Sequence, residues 1–95
     1  MNSLSYQTRI RQKLTATLQP IHMEIMDDSA HHKGHAGHDP VGETHFKVMI
    51  VSAVFNGLTR IERHRRVYES LAEELKERVH ALNIETLTPD EYNHR

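Results

Sequence analysis

The feature that most constrains the fold is a long helical repeat of apolar residues between two segments that alternate like strands. The repeat runs from Ile61 to Val79 in steps of three and four residues, with His64 among its members. Such spacing places one apolar stripe along a helix. Thr59 and Glu62 have the capping-box spacing for its start, and the helix is expected to end near residue 80. A helix between two strands is typical of a parallel crossover, so an α+β domain is predicted.

Alternating apolar and polar residues predict three strands, at 21–25, from His45 onward, and at 82–85. A helix is predicted from about Ser5 to Leu18. A short final helix is predicted after Thr88, with Thr88 as its cap, Pro89 at the first helical position and Glu91 as the glutamate of a capping box. The predicted order is helix, strand, strand, helix, strand, helix. The first two strands are expected to pair antiparallel, and the three-stranded sheet to carry its helices on one face.

Length and composition restrict the chain to one small domain. It has 95 residues, of which 37% are hydrophobic, and a formal net charge of −1. A single domain covering residues 1–95 is expected. The start has no apolar run of secretory length and no stretch is apolar enough to span a membrane. We therefore expect a protein that makes no contact with a membrane. Its expected location is the cytoplasm, or the mitochondrion in a eukaryote.

A histidine-rich stretch lies in the connection between the first two predicted strands, a flexible loop at about residues 28–44. The chain has nine histidines and no cysteine. Neutral imidazole is the commonest metal ligand, and glycines let a loop bring several onto one ion. Binding of zinc, nickel or copper by the loop and a merely solvated polar loop remain alternatives. The candidate ligands are His31, His32, His35 and His38.

The long helix carries its charges against its own dipole. Its first half contains four arginines, Arg60, Arg63, Arg65 and Arg66. Its second half contains four glutamates, which are expected on an exposed face: Glu69, Glu73, Glu74 and Glu77. Cations near a helix N-terminus cost stability, and no packing argument requires them. The arginines indicate either a patch for phosphates or an acidic partner, or else a solvated face.

His80 follows the long helix directly and precedes the third predicted strand. Its position between two regular elements suits a rigid metal ligand, but a histidine there also suits a helix cap. His64, on the apolar stripe, is expected to be a core residue. The sequence contains no cysteine nucleophile, phosphate-binding glycine loop or convincing carboxylate pair, so it is not expected to be an enzyme.

Several motifs, in order and spacing, resemble the BolA family over nearly the whole chain. They are Thr44-His45-Phe46, Phe55-Asn56-Gly57, Arg63-His64-Arg65-Arg66-Val67-Tyr68, Leu71-Ala72-Glu73-Glu74-Leu75 and Val79-His80-Ala81-Leu82. The resemblance implies an α+β fold similar to class II K-homology domains, with the long helix broken in two. Nothing in this sequence marks that break. The chain lacks the GxxG loop by which true K-homology domains clamp nucleotides.

The resemblance also implies a function and its residues. Family members form heterodimers with monothiol glutaredoxins that share a [2Fe-2S] cluster, whose thiolates come from the glutaredoxin and glutathione. The chain would be a monomer alone. The family's helix-end ligand corresponds to His80, and its loop ligand to His35, with three alternates: His38, His32 and His31. Bacterial members resemble DNA-binding transcriptional regulators of stress and morphology, for which the phosphate contacts would be Arg60, Arg63, Arg65 and Arg66.

Overall fold

The computed structural model describes residues 5–28 and 44–95. Three strands form one sheet in the order β1-β2-β3, with four α-helices and a short 3-10 turn. In chain order the elements are α1 (Tyr6–Leu18), β1 (His22–Asp27), β2 (His45–Val51), the 3-10 turn (Ala53–Phe55), α2 (Arg60–Ser70), α3 (Ala72–Glu77), β3 (Ala81–Leu87) and α4 (Pro89–Asn93).

The sheet pairs as predicted. β1 and β2 are antiparallel, with Ile25 opposite Val48, and β2 and β3 are parallel, with Val48 opposite Ile84. The helical segment between β2 and β3 is therefore a crossover connection, which confirms the predicted arrangement. The α+β fold class is confirmed as well.

One face of the sheet forms the core with α1, α2 and α3. Fully buried residues from the helices and from β2 meet there, among them Ile10, Leu14, Val67, Phe46 and Ile50. The opposite face is more open. The predicted placement of the helices on one face holds for α1, α2 and α3, whereas α4 lies on the other face, where Tyr92 stacks on the ring of His22 with a centroid distance of 5.3 Å. Within the described residues, no helix is long and apolar enough to cross a membrane.

Local signals set the helix starts. The side chain of Ser5 accepts the amide of Thr8 at the start of α1. Reciprocal capping boxes begin α2 and α4, where Thr59 pairs with Glu62 and Thr88 with Glu91. Each box satisfies amides that the first helical turn leaves unpaired. Both predicted boxes are confirmed.

The predicted long helix is interrupted at Leu71, as the resemblance implied. The amide of Leu71 contacts the carbonyls of both Val67 and Tyr68, at 3.1 and 3.2 Å. Its backbone lies at φ −108° and ψ 20°, outside regular helical geometry. The side chain of Leu71 is buried, so the interruption lies on the core side. No glycine or proline marks it in the sequence.

Glu74 contradicts the prediction of an exposed glutamate face. Its side chain is buried against α1, where one carboxylate oxygen lies 2.9 Å from both Arg9 and Lys13. A buried carboxylate needs such partners because desolvation of an unpaired charge is costly. Arg9 also pairs with Glu77, and Lys13 with Glu73. Three of the four glutamates therefore attach α3 to α1.

Two apolar residues expected to pack inward lie at the surface. Ile21, expected in the first strand, precedes β1 and is 63% exposed. Ile61, expected on the apolar stripe of the long helix, is 71% exposed. Tyr68 is partly exposed, and His64, expected in the core, is only half-buried. The buried apolar face of α2 is narrower than the sequence repeat predicted.

Candidate functional site

His80 lies at the surface in the short connection between α3 and β3. The last helical bonds run from the amides of Arg78 and Val79 to the carbonyl of Glu74. The next amide, that of His80, donates to the carbonyl of Thr44 at 2.8 Å. The backbone of His80 is thereby fixed to the start of β2, while its side chain is exposed. Arg78, and not His80, occupies the C-cap position of α3.

A second histidine lies beside His80. His45 is the first residue of β2 and is opposite Ala81 in the parallel register. The rings of His45 and His80 have a centroid distance of 6.5 Å and are tilted by 46°. Nδ1 of His45 lies 2.8 Å from the hydroxyl of Thr44, a contact that orients the ring. The structure thus adds His45 to the candidate nitrogen ligands predicted from the sequence.

Parallel pairing is the signal that could have revealed His45. Two parallel strands begin at the same edge of a sheet, so residues at their starts are neighbours. His45 starts β2, and His80 immediately precedes β3. The parallel crossover predicted from the sequence therefore already implies that these two histidines are neighbours.

The histidine-rich stretch begins and ends at this same edge. The amide of Asp28 donates to the carbonyl of His45 at 2.6 Å, and the carbonyl of Thr44 accepts the amides of His80 and Ala81. The four predicted loop ligands, His31, His32, His35 and His38, lie outside the described residues. Of the two anchor points of the segment that contains them, Thr44 is hydrogen-bonded to His80, and Asp28 lies on the other side of β2.

The chemistry available at this edge is nitrogen ligation. His45 and His80 offer two imidazoles, and the chain contains no cysteine. Among residues 5–28 and 44–95, no three His, Cys, Asp or Glu side chains are grouped so that they could hold a metal ion. Two neighbouring imidazoles can supply nitrogen ligands but do not by themselves complete a metal site.

Arg63 is not available as the predicted phosphate contact. Its side chain is buried, and its guanidinium donates to the carbonyls of Leu58 and Thr86 at 3.0 and 3.2 Å. It also forms a two-pronged contact with Glu91, at 2.7 and 3.3 Å. These bonds join α2 to β3 and α4. The prediction is corrected because the guanidinium is buried and uses four of its five N–H donors within the fold, so it is not presented to a phosphate at the surface.

The other three predicted phosphate contacts, Arg60, Arg65 and Arg66, are exposed. At about 100° per residue, Arg60 and Arg65 are about 140° apart around α2, Arg65 and Arg66 about 100°, and Arg60 and Arg66 about 120°. They therefore do not share one face of the helix. A single flat approach of a nucleic-acid backbone reaches at most two of them.

The profile of the BolA family, described as BolA-like protein, matches residues 14–91. The chain belongs to the BolA-like family. The DNA-binding transcriptional regulator BolA of Escherichia coli (strain K12) is 45% identical over 84 residues, which cover 88% of this chain and 76% of that protein.

Two further comparisons concern a plant relative. SufE-like protein 1, chloroplastic/mitochondrial, of Arabidopsis thaliana is 46% identical over 89 residues, and the match spans 87% of this chain but only 24% of that protein. The solved BolA domain of SufE1 from Arabidopsis thaliana superposes with a TM-score of 0.82 at 44% identity, covering 95% of this chain and 99% of that domain. The BolA-like fold is thus shared with both a regulator and one domain of a larger protein.

Proposed function

We propose that this BolA-like chain is an adaptor that binds a monothiol glutaredoxin and contributes nitrogen ligands to a shared [2Fe-2S] cluster, for iron-sulfur trafficking or iron sensing. The observation that carries the proposal is the position of His80. Its exposed imidazole lies at the sheet edge where both ends of the histidine-rich segment are anchored.

The donor chemistry supports a shared cluster. Iron-sulfur clusters need thiolate ligands, which this cysteine-free chain does not supply. The thiolates would come from the glutaredoxin and glutathione, and His80 with a second histidine would complete the set. Nitrogen ligands raise the reduction potential of such a cluster, and protonated imidazole cannot bind it. Those properties suit transfer or sensing.

Two sources compete for the second nitrogen. The family resemblance favours His35 of the loop, with His38, His32 and His31 as alternates. The geometry adds His45, whose ring is 6.5 Å from that of His80 between centroids. We propose His35 as the ligand and retain His45 as the alternative that the fold itself offers.

The test is co-expression with a monothiol glutaredoxin and anaerobic purification of the complex. We expect a visible absorption and circular dichroism spectrum of a [2Fe-2S] cluster that His80→Ala changes or abolishes. His94→Ala is the matched control, because His94 is exposed and follows α4 after the end of β3, whereas His80 precedes the start of β3. An identical spectrum for wild type and His80→Ala would refute the ligand assignment. Single alanine variants at His35 and His45 then identify the second ligand.

DNA binding is the second candidate function, favoured by the name of the Escherichia coli relative. The contacts would be Arg60, Arg65 and Arg66, now without Arg63. Phosphate contacts release counterions, so duplex affinity should fall steeply with salt and should weaken in the double variant Arg65→Ala, Arg66→Ala. Absence of duplex binding at low salt, measured by fluorescence anisotropy, would reject this candidate.

A further inference from the structure

One side of α2 carries exposed apolar groups that the proposed ligands do not use. Ile61 is 71% exposed and Tyr68 is 39% exposed. A spacing of seven residues places both on one side of the helix. Together with Arg60, His64 and Arg65 they line a shallow depression of about 510 Å³. We call these five residues the α2 stripe.

Tyr68 forms a rigid part of the α2 stripe. Its hydroxyl donates to the carbonyl of Leu82 in β3 at 3.1 Å, which satisfies the polar end of the side chain. The ring is therefore held in place while part of its surface stays open. A preordered aromatic surface loses little conformational entropy when a partner covers it.

The α2 stripe carries positive charge at its two borders and apolar groups between them. Around the helix, Arg60 and Arg65 lie at the two borders, with Ile61 and Tyr68 between them. Among residues 5–28 and 44–95, neither arginine forms an ion pair, and Glu69, one turn beyond Arg65, forms none. Apolar groups bordered by unpaired arginines are typical of the central residues of protein interfaces.

The strand next to the α2 stripe is protected from strand addition. Along β3 the backbone of every second residue faces the outer edge, and the carbonyls of Leu82 and Thr86 there accept side-chain bonds from Tyr68 and Arg63. An added strand would need to displace these bonds. Recognition at this place must therefore rely on side chains rather than on backbone pairing.

We infer that the α2 stripe is a docking surface for an acidic segment of a partner protein. An aliphatic or aromatic side chain of that segment would cover Ile61 and Tyr68, and its carboxylates would pair with Arg60 and Arg65. Nucleic acid fits less well, because Ile61 occupies the middle of the surface and Arg66 lies on the opposite flank of the helix. The inference is independent of His80 and of any cluster.

The test is selection of a random-peptide phage library on the immobilised full chain. We expect enriched peptides with Asp or Glu on both sides of an aliphatic or aromatic residue. A synthetic copy of the strongest binder should lose about tenfold or more in affinity against Ile61→Asp and against Arg65→Glu, measured by fluorescence anisotropy. The same variants should retain the circular dichroism spectrum of the wild type.

Matched controls separate a docking surface from general charge effects. Ile21→Asp changes another exposed isoleucine, and Arg11→Glu reverses an exposed charge on α1. Both should bind the peptide within about twofold of wild type, as expected for surface positions outside the interface. Should Ile61→Asp or Arg65→Glu not fold, Ile61→Ala and Arg65→Gln replace them.

Three outcomes would overturn the inference. The first is that the selection does not enrich acidic peptides. The second is that Ile21→Asp or Arg11→Glu weakens peptide binding as much as Ile61→Asp and Arg65→Glu do. The third is that duplex DNA displaces the peptide and that substitutions of Arg65 and of Arg66 weaken DNA binding equally. The last result would assign the surface to nucleic acid instead.

Discussion

Arg63 has a structural role in this fold. It lies in the Arg63-His64-Arg65-Arg66 run that the sequence analysis assigned to phosphate binding, yet its guanidinium joins two backbone carbonyls and Glu91. Arg65, two residues later, is exposed. Residue type alone does not distinguish the two, because an arginine serves equally well as a surface cation and as a multiple hydrogen-bond donor.

Substitutions of Arg63 and Arg65 should distinguish a buried hydrogen-bond donor from a surface cation. We expect Arg63→Ala to lower the free energy of unfolding by about 2 kcal/mol, because buried bonds to charged groups are lost. Arg65→Ala should stay within about 0.5 kcal/mol of wild type, as surface substitutions do. Urea denaturation of both variants measures this. Equal stability of the two variants would show that the contacts of Arg63 do not stabilise the fold.

The contact between Arg63 and Glu91 also predicts a pH dependence. The hydrogen bonds from Arg63 and from the amide of Thr88 lower the pKa of Glu91 to about 2. In the unfolded chain the pKa of a glutamate is about 4.3, so the ionised side chain stabilises the folded state above about pH 5, and this stabilisation is lost as the pH falls towards 2.

Glu91→Gln tests this dependence and keeps a residue that suits a capping box. The variant should be less stable than wild type at neutral pH, and the difference should shrink as the pH falls from about 5 towards 2. Urea denaturation across this range gives the comparison. A difference that stays constant with pH would mean that ionisation of Glu91 does not contribute.

At the scale of elements, ion pairs attach α3 to α1. The carboxylate of Glu74 is 1% exposed, whereas that of Glu73, which also contacts Lys13, is 71% exposed. Burial decides the energy of such pairs, because water screens an exposed pair and competes for it. The two neighbouring glutamates should therefore differ strongly in their effect on stability.

We expect Glu74→Gln to lower the free energy of unfolding by roughly 1 to 3 kcal/mol, since Arg9 and Lys13 lose a buried carboxylate. Glu73→Gln is the matched control and should change stability by less than about 0.5 kcal/mol. Thermal and urea denaturation provide the values. If both variants lose the same stability, burial of Glu74 is not what gives the contact its strength.

Element prediction succeeded where the signals were local and failed where they were not. Both capping boxes and the alternation of Phe46, Val48 and Ile50 act through neighbours in the chain, and the structure confirms them. The interruption at Leu71 has no local breaker. The apolar repeat continues through it, so the sequence predicted one helix.

At the scale of the whole molecule, the sheet holds both ends of the histidine-rich segment. Asp27 pairs with Phe46 across the antiparallel strands, next to the segment. Replacing residues 30–42 by a short Gly-Ser linker should therefore leave the fold intact. A shorter loop costs less closure entropy, so the free energy of unfolding should stay the same or rise by up to about 1 kcal/mol.

The Gly-Ser linker variant also distinguishes the two candidates for the second ligand of the cluster. If a loop histidine ligates the cluster, as we propose, the glutaredoxin complex should lose or change its visible circular dichroism spectrum. A full-length variant with alanine at His31, His32, His35 and His38 controls for loop length and should show the same change. An unchanged spectrum in both variants, combined with sensitivity to His45→Ala, would assign the ligand to His45.

Apart from the interruption at Leu71, the sequence by itself determined the order and type of the elements, their capped starts and the family, because these depend on local periodicity, capping and motif spacing. Only the tertiary structure decided that Arg63 and Glu74 are buried and that Ile61 is exposed. Each of these depends on what a distant element places against the residue, and neither spacing nor composition encodes that contact.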